Sequence, residues 1–532
     1  MDRPQEAPPT APRRAIWHAA AAALLAVAGA AVFLPPLGAG VVSDSFYHLE
    51  RATAPFRTVV GRLVPVAGDW YRPVTDAVFW AEYRLFGLWP VGYRLVALGC
   101  HVGAAALVFA LGRRLTGSAP GAWVAAAAFL FSIHAHEPVF DVANLHNAMS
   151  GVTLPACVLA HLHGAPRLAF ALGALTLGID ENGLLAFPLL ALAEAVVPGG
   201  RPGAPRRPGV VRRLAPLALL TVAYVWARVG AGGFAYESDP CRDARCLAVG
   251  VLEYVNRLFV RPDAALELVW RHRPLIAAVT LGALGVVAVL LRPWTWRDWR
   301  AAVFAAGWTA GASSFAILAL FPYVADRFLY LADVGLALLL GAATAEVLRA
   351  WPAAGTGARV GLAAGATVVA AWLAIGPVAL AERGRLWAAA GAQARAIVEA
   401  TVRLVPDPPP RATIVFSGPL DSYAVTIPPG NTGPYLFRTG IGAALRLAYG
   451  RPDLRGSWRG RRSPDAIHLS FEDGQVRRVA PRRPAQRRRE PRSPRLRRAK
   501  PAGGSNSAAA RARSWALTTS VLPPRARTTR AG

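Results

Sequence analysis

VVSDSFYHLERATAPFRTVVGRLVPVAGDWYRPVTDAVFWAEYRLFGLWPVGYR, residues 41–94, decides how the rest of the chain is read. It follows an apolar run over residues 16–34 and gathers Asp44, His48, Glu50, Arg51, Asp69, Tyr71, Arg72, Asp76 and Glu82 within an otherwise hydrophobic chain. Hydrocarbon satisfies neither charged groups nor irregular backbone. A polar stretch of this length between two apolar segments must therefore sit in water or line a wet cavity. It is the first place to look for chemistry.

Working outward, the chain has 532 residues, is 54% hydrophobic and has a mean hydropathy of +0.33. It is too apolar for an ordinary water-soluble protein and long enough for many spans, which predicts an α-helical polytopic membrane protein with the lipid bilayer as its medium. The formal charge of +28 suggests nucleic acid at first sight, but residues 477–532 hold 17 Lys and Arg against one acid, Glu490. Much of the rest stands in short loops between apolar segments, where positive charge marks the cytoplasmic side. Nucleic acid is not an expected partner. Lysine occurs once, at Lys500, while Arg, Ala, Gly and Pro abound. That bias fits a GC-rich bacterial genome and an inner (cytoplasmic) membrane location.

Apolar runs at 16–34, 91–111, 120–133, 148–162, 168–179, 183–197, 214–230, 275–291, 301–321, 331–348 and 360–380 predict about eleven transmembrane helices. With Arg13 and Arg14 inside, the basic loops at 113–114, 198–213 and 292–300 all fall on the cytoplasmic face. The loops holding Asp44, His134, Cys241 and Arg327 then open on the other. Residues 1–381 form this transmembrane domain. Residues 382–480 predict a small extracytoplasmic α/β appendage: an amphipathic helix along the membrane surface over 382–405, a break at the DPPP of 407–410, strands in RATIVFSG and SYAVTIP, and a hairpin in IHLSFEDGQVRRV about its Asp-Gly pair. Residues 481–532 are rich in Arg and Pro, lack periodicity and are expected to be disordered.

Several residues carry chemistry-bearing groups, each with a plainer alternative. Asp44 stands just past the first span, with His48 one helical turn on. A carboxylate there suits a general base if burial lifts its pKa toward the working range, and the alternative is an acid that caps a loop helix. His134, His136 and Glu137 make an outer-face HxHE cluster able to hold a divalent cation or orient a phosphate. Two histidines two residues apart lack the i, i+4 spacing of a helical zinc site, so a hydrogen-bonding role is the simpler reading and any need for a cation stays open. Arg72 and Arg327 lie at outer interfaces, where guanidinium groups suit bidentate phosphate binding, against the alternative of arginines that merely snorkel. Cys241 and Cys246, in PCRDARC, sit in a predicted outer loop where a disulfide persists. Cys100 and Cys157 fall in apolar segments and read as small buried hydrophobes.

Four segments together resemble the GT-C superfamily of polytopic glycosyltransferases, most closely the transmembrane protein O-mannosyltransferase-like branch. Asp44 followed by Tyr71-Arg72-Pro73 and FGLWPVGYRLVALGCH resembles the family's amino-terminal part. AFLFSIHAHEPVFDVAN is similar to its Phe-x-x-His-Pro-x-His-x-Glu segment, LGIDENGLLAFPLL to its Lys-Glu segment, and FPYVADRFLYLADVGLALLL to its Glu-Arg-Tyr-x-Tyr segment. The order is kept over residues 20–350. The chain departs from the pattern where Ser43-Asp44 replaces a pair of acids and where Asp180 stands for the lysine before Glu181, and it lacks tetratricopeptide repeats. The resemblance implies transfer of a sugar from a polyprenyl-phosphate donor to an extracytoplasmic acceptor (a protein hydroxyl, a lipid or an envelope glycan) with inversion at the anomeric carbon. Asp44 and His48 would be catalytic, Arg72 and Arg327 would hold the donor phosphate, and His134, His136, Glu137 and Glu181 would support the site. A transporter or flippase of lipid-linked sugars and a non-catalytic relative are the competing readings. Transporters place charges at the midplane in broken helices, whereas the candidates here cluster in outer loops.

Without apolar periodicity the tail has nothing with which to pack. Truncation after Ala480 is expected to leave membrane insertion and activity intact, as checked by membrane fractionation and turnover of the truncated chain.

Overall fold

Inside a bilayer each backbone N–H must bond within its own segment, and this chain meets that demand with helices. The computed structural model describes residues 11–62, 71–197, 209–230, 254, 257–258, 299–318, 324–418, 430–431, 434–437, 440–458, 466–472 and 475–479. Among these, α1 (Ala11–Phe33) is followed by three helices inside the polar stretch, α2 (Ser45–Ala52), α3 (Phe56–Gly61) and α4 (Pro73–Phe86). Then come α5 (Pro90–Thr116), α6 (Ala119–Leu130), α7 (His136–Phe140), α8 (Leu145–Leu162), α9 (Pro166–Ile179), α10 (Ala186–Val196) and α11 (Val210–Gly230). Later in the chain stand α12 (Trp299–Leu318), α13 (Ala332–Ala350), α14 (Thr356–Leu404) and α15 (Ile441–Tyr449).

The local sequence explains the boundaries. Pro90 occupies the first turn of α5, where its missing N–H costs nothing, and Gly117 ends the helix in the left-handed region with Arg113 and Arg114 in the last turn. Ser118 then caps α6 by accepting from the Gly121 amide. Helix α5 packs on α6, α8 and α13, α6 packs on α13 as well, and α12 lies against α13. Where α6 and α13 meet, Gly121 and Gly341 each stand where a Cβ would strike the other's carbonyl oxygen, so the two backbones touch directly. Small residues drive such close packing where the surrounding lipid is as apolar as the side chains.

Five helical stretches are long and apolar enough to cross a membrane: Ile16–Gly38, Pro90–Thr116, Val210–Gly230, Ala332–Ala353 and Arg359–Leu404. The protein is a multi-pass membrane protein. These stretches match the runs predicted at 16–34, 91–111, 214–230, 331–348 and 360–380. The runs at 120–133, 148–162, 168–179, 183–197 and 301–321 also contain helices. The run at 275–291, the strand expected in SYAVTIP and the Cys241–Cys246 pair lie outside the described residues. Cys157 is buried and Cys100 partly so, both as free thiols.

The carboxy-terminal region differs from expectation in one respect. The helix predicted over 382–405 is not a separate surface helix: α14 runs unbroken for 49 residues, past 382 and through Pro377. At 1.5 Å per residue it is about 74 Å long, more than twice a ~30 Å hydrocarbon core, so its second half projects beyond the membrane. That half packs inward instead of lying on lipid, with Trp387, Ala390, Ala394 and Ile397 buried. Beyond it, β2 (Thr413–Ser417), β4 (Arg455–Trp458), β5 (Ile467–Glu472) and β6 (Gln475–Arg478) form a sheet in the order β4-β2-β5-β6. The first two pairings are parallel and the last antiparallel, with Glu472 opposite Gln475 as a two-residue hairpin requires. A second, two-stranded sheet joins β1 (Val324–Ala325) to β3 (Gly430–Asn431).

The carboxy-terminal ends of α5 and α13 are tied together by Arg349, which donates to the Thr116 carbonyl at 3.0 Å. Cysteines placed at the exposed Thr58 and Asp407, in a background lacking native cysteines, should react with a membrane-impermeant maleimide in intact cells. One at the exposed Ala353, beside that basic end, should react only after permeabilisation.

Candidate active site

Three regions converge: residues 43–62 with 71–76, the 132–147 stretch between α6 and α8, and 324–333 before α13. Each ends at the first turn of a helix, so the chemistry gathers at one end of the bundle. Asp44 occupies the N-cap position of α2, yet its side chain accepts no capping hydrogen bond. Its carboxylate is therefore not consumed by the helix terminus. Ser43, just before it, has φ 55°, a left-handed conformation that a residue with a Cβ adopts at a cost. The His48 amide bonds the Asp44 carbonyl, one turn on as predicted, and the His48 ring stacks on Phe79. Burial, reinforced by the Arg72 guanidinium, lowers the His48 pKa to about 4, so the imidazole is neutral.

Asp141, overlooked in the sequence, lies beside Asp44. Ser45 Oγ donates to its Oδ1 at 2.6 Å, the Ala143 amide to the same oxygen at 3.2 Å, and Asn144 to Oδ2 at 2.9 Å. Burial nevertheless raises its pKa to about 7, with the neighbouring Asp44 and Glu137 charges acting in the same direction. A second acid, contributed by the segment between α6 and α8, is thus bonded to the first turn of α2.

Arg72 donates from Nε and Nη2 to Glu181 Oε2 at 3.3 and 3.1 Å, and from Nη1 to His146 Nε2 at 3.2 Å. Since arginine only donates, His146 Nε2 carries its lone pair and Nδ1–H points to the Ala143 carbonyl at 3.2 Å. Burial, then Arg72, His48 and Arg327, push the His146 pKa well down. Arg228 reaches Glu181 at 3.7 Å. Asp180 caps the following turn by accepting from the Asn182 amide and takes a bond from Ser150 at 2.9 Å.

The HxHE cluster opens onto α14 and the 324–333 segment. Arg327 Nη1 donates to Glu137 Oε2 at 2.6 Å. His134 Nδ1 meets Asp333 Oδ2 at 2.7 Å. Trp387 Nε1–H donates to His136 Nδ1 at 2.9 Å, which leaves His136 Nε2–H to donate to Asp326 at 3.0 Å. Asp326 also takes Arg257 at 2.6 Å and Arg383 at 3.4 Å. Burial alone would raise Asp326, but Arg257, His136 and Arg383 hold it well below the usual carboxylate range.

His136, Glu137 and Asp326 offer ligand atoms within 4.8 Å of one another. They do not fit a divalent cation. The His136 lone pair is taken by Trp387, and three guanidinium groups already neutralise the two carboxylates. The hydrogen-bonding reading of the HxHE motif agrees with this geometry. Every predicted site residue except the two cysteines is thus placed. Asp44, His48, Arg72, Arg327, Glu137 and Glu181 join one electrostatic cluster, and His134 and His136 flank it. Arg257, Arg383, Trp387, Asp326, Asp333 and His146 were not singled out in the sequence. Of these, Asp326 and Asp333 lie within the segment quoted for Arg327, and His146 stands two residues beyond that quoted for the HxHE motif.

No protein-family model matches this chain, and no curated protein does. Among solved structures, it is similar to ArnT from Cupriavidus metallidurans in the apo state, at 15% identity over 87% of this chain and 94% of that one, with a TM-score of 0.48. It is also similar to the same protein bound to undecaprenyl phosphate, at 14% identity over 86% and 93% of the two chains, with a TM-score of 0.46. Likeness at that level concerns the path of the chain, and the chemistry is read from the residues themselves.

Because Asp326 balances two buried guanidinium groups, Asp326→Asn should destabilise the protein by about 3–5 kcal/mol, the scale for breaking a buried ion pair. The check is a lowered melting temperature and reduced monodisperse yield in detergent.

Proposed function

We propose that the protein is an integral membrane glycosyltransferase of the GT-C type. It would transfer a sugar from a polyprenyl-phosphate donor to an extracytoplasmic acceptor: a protein hydroxyl, a lipid or an envelope glycan. The observation that carries this reading is the meeting of Asp44, Asp141 and Glu137 with Arg72 and Arg327 in one cluster at a single end of the helix bundle. Carboxylates beside guanidinium groups at a membrane boundary match what the reaction needs: a base for an acceptor hydroxyl and cations for a departing phosphate.

In this mechanism Asp44 removes the proton as the acceptor oxygen attacks the anomeric carbon. The bond from that carbon to the phosphate oxygen breaks, and the polyprenyl phosphate leaves with both electrons. Arg327 and Arg72, held in place by Glu137 and Glu181, meet the charge on the leaving group. His48 and His146, both neutral, add no competing cation and pack the floor of the site. Asp141, carrying its proton up to about pH 7, adds no negative charge to the site below that pH.

Incubation of the purified protein with a panel of polyprenyl-phosphate sugars, with mass detection of released polyprenyl phosphate, tests the reading. Asp44→Asn should fold normally and lower transfer at least ~100-fold, the scale of a lost general base. The pH dependence follows from Asp141. An acid with a raised pKa acquires its negative charge only as pH rises through about 7, where it repels the anionic donor. The rate should fall above that pH, and Asp141→Asn, neutral throughout, should flatten that limb of the pH–rate profile.

A further inference from the structure

The appendage is joined to the Asp44 loop by five distinct contacts. Arg446 of α15 clasps Glu50 of α2, with Nη2 to Oε2 at 2.8 Å and Nε to the other oxygen. The Ser43 amide donates to the Leu436 carbonyl at 2.9 Å. Gly440 lies so close to the Ser43 carbonyl oxygen that a Cβ would strike it. Finally, an aromatic ladder runs from α2 into the sheet: Phe46 stacks on Phe437 at 5.8 Å, Phe437 on Trp458 at 5.8 Å, and Trp458 on Phe416 at 5.5 Å. Leu447 packs on the cluster formed by Leu49, Ala52 and Phe79.

These contacts bracket a strained residue of the loop. Ser43 holds φ 55° between a hydrogen bond to the appendage and the first turn of α2. A side-chain-bearing residue stays in that region only when its surroundings over-determine it. The Leu436 carbonyl and the backbone at Gly440 are those surroundings, and both belong to the appendage. Asp44 is the next residue, so its direction is set by the same contacts.

We infer that the carboxy-terminal appendage is a working part of the site: Glu50 and Arg446 are positioning residues that, through α2 and Ser43, aim the Asp44 carboxylate. Neither touches the reacting atoms. The clasp crosses 396 residues of sequence, so the membrane bundle and the appendage must both be folded before Asp44 is in place. The role in catalysis rests on the glycosyltransferase reading, whereas the conformation of the loop does not.

The test uses the full-length protein in detergent as wild type, Glu50→Arg, Arg446→Glu, Arg446→Lys and the Glu50→Arg/Arg446→Glu swap. Two quantities are measured: amide hydrogen exchange over residues 42–48, and donor turnover per monodisperse protein. Each charge reversal should speed exchange in 42–48 and lower kcat by about tenfold with KM for the donor unchanged, and the swap should restore both toward wild type, as paired residues in a mutant cycle do. Arg446→Lys, which keeps the charge and loses the fork, should fall between and supplies the readout if a reversal fails to fold. Unchanged exchange in the reversals and in Arg446→Lys, or a swap that fails to recover it, would overturn the clasp. Faster exchange with unchanged kcat would overturn the positioning role. If wild type turns over no donor while the swap still restores exchange, the transferase reading fails and the clasp stands.

Discussion

The arrangement at the candidate-site end of the bundle depends on one buried carboxylate. Asp326 is almost wholly buried and is reached by His136 from α7, Arg383 from α14 and Arg257, which draws three separate regions of the chain onto the short segment before α13. A buried charge without partners is intolerable, and so are buried guanidinium groups without an acid, so the members exist together or not at all. The next residue, Arg327, turns to Glu137, the neighbour of His136. Structural ion pair and candidate site therefore share two adjacent dipeptides. In each, one residue belongs to the Asp326 ion cluster while the other forms the Arg327–Glu137 pair.

That geometry gives the length of α14 a purpose. A helix ending at the membrane surface would not carry Arg383 and Trp387 to His136, and the tautomer of His136 would then be undefined. Continuing the helix beyond the hydrocarbon fixes the imidazole through the Trp387 N–H and leads into an appendage that returns to the first loop. A second buried cation works alongside it. Arg94, at the start of α5, gives its donors to the carbonyls of Leu37, Ala39, Gly40 and Phe140. Those four carbonyls lie in the approaches to the Asp44 loop and at the end of α7. Side-chain cations thus satisfy the backbone where the chain leaves regular structure at the membrane boundary.

Hydropathy made the helices legible, since lipid imposes one demand on every span. Asp44, Arg72, Glu137 and Arg327 were also legible, because charged residues at the ends of apolar runs are costly unless they do something. Asp141 was not. It sits inside the quoted VFDVAN, but its importance comes from Ser45, 96 residues away, and from burial, neither of which leaves a local pattern. Arg383 and Trp387 were hidden by an amphipathic period that reads alike for a surface helix and for one packed on protein. The HxHE motif invited a metal for a related reason: ligand-type residues are visible in sequence, and the arginines that neutralise them come from elsewhere. The hairpin about Asp-Gly was the easiest element to place, because its turn chemistry is entirely local.

The central claim is that a polyprenyl phosphate docks at the outer cluster, and photo-crosslinking addresses it directly. A polyprenyl phosphate bearing a diazirine near the phosphate, incubated with the protein in membranes, irradiated and mapped by peptide mass, should label residues within 41–62, 133–147 and 324–331. Excess unmodified polyprenyl phosphate should suppress the labelling, and Arg327→Ala should weaken it. Labelling confined to the basic inner end, around 113–120 and 349–356, or spread along the lipid-facing helices without competition, would contradict the account.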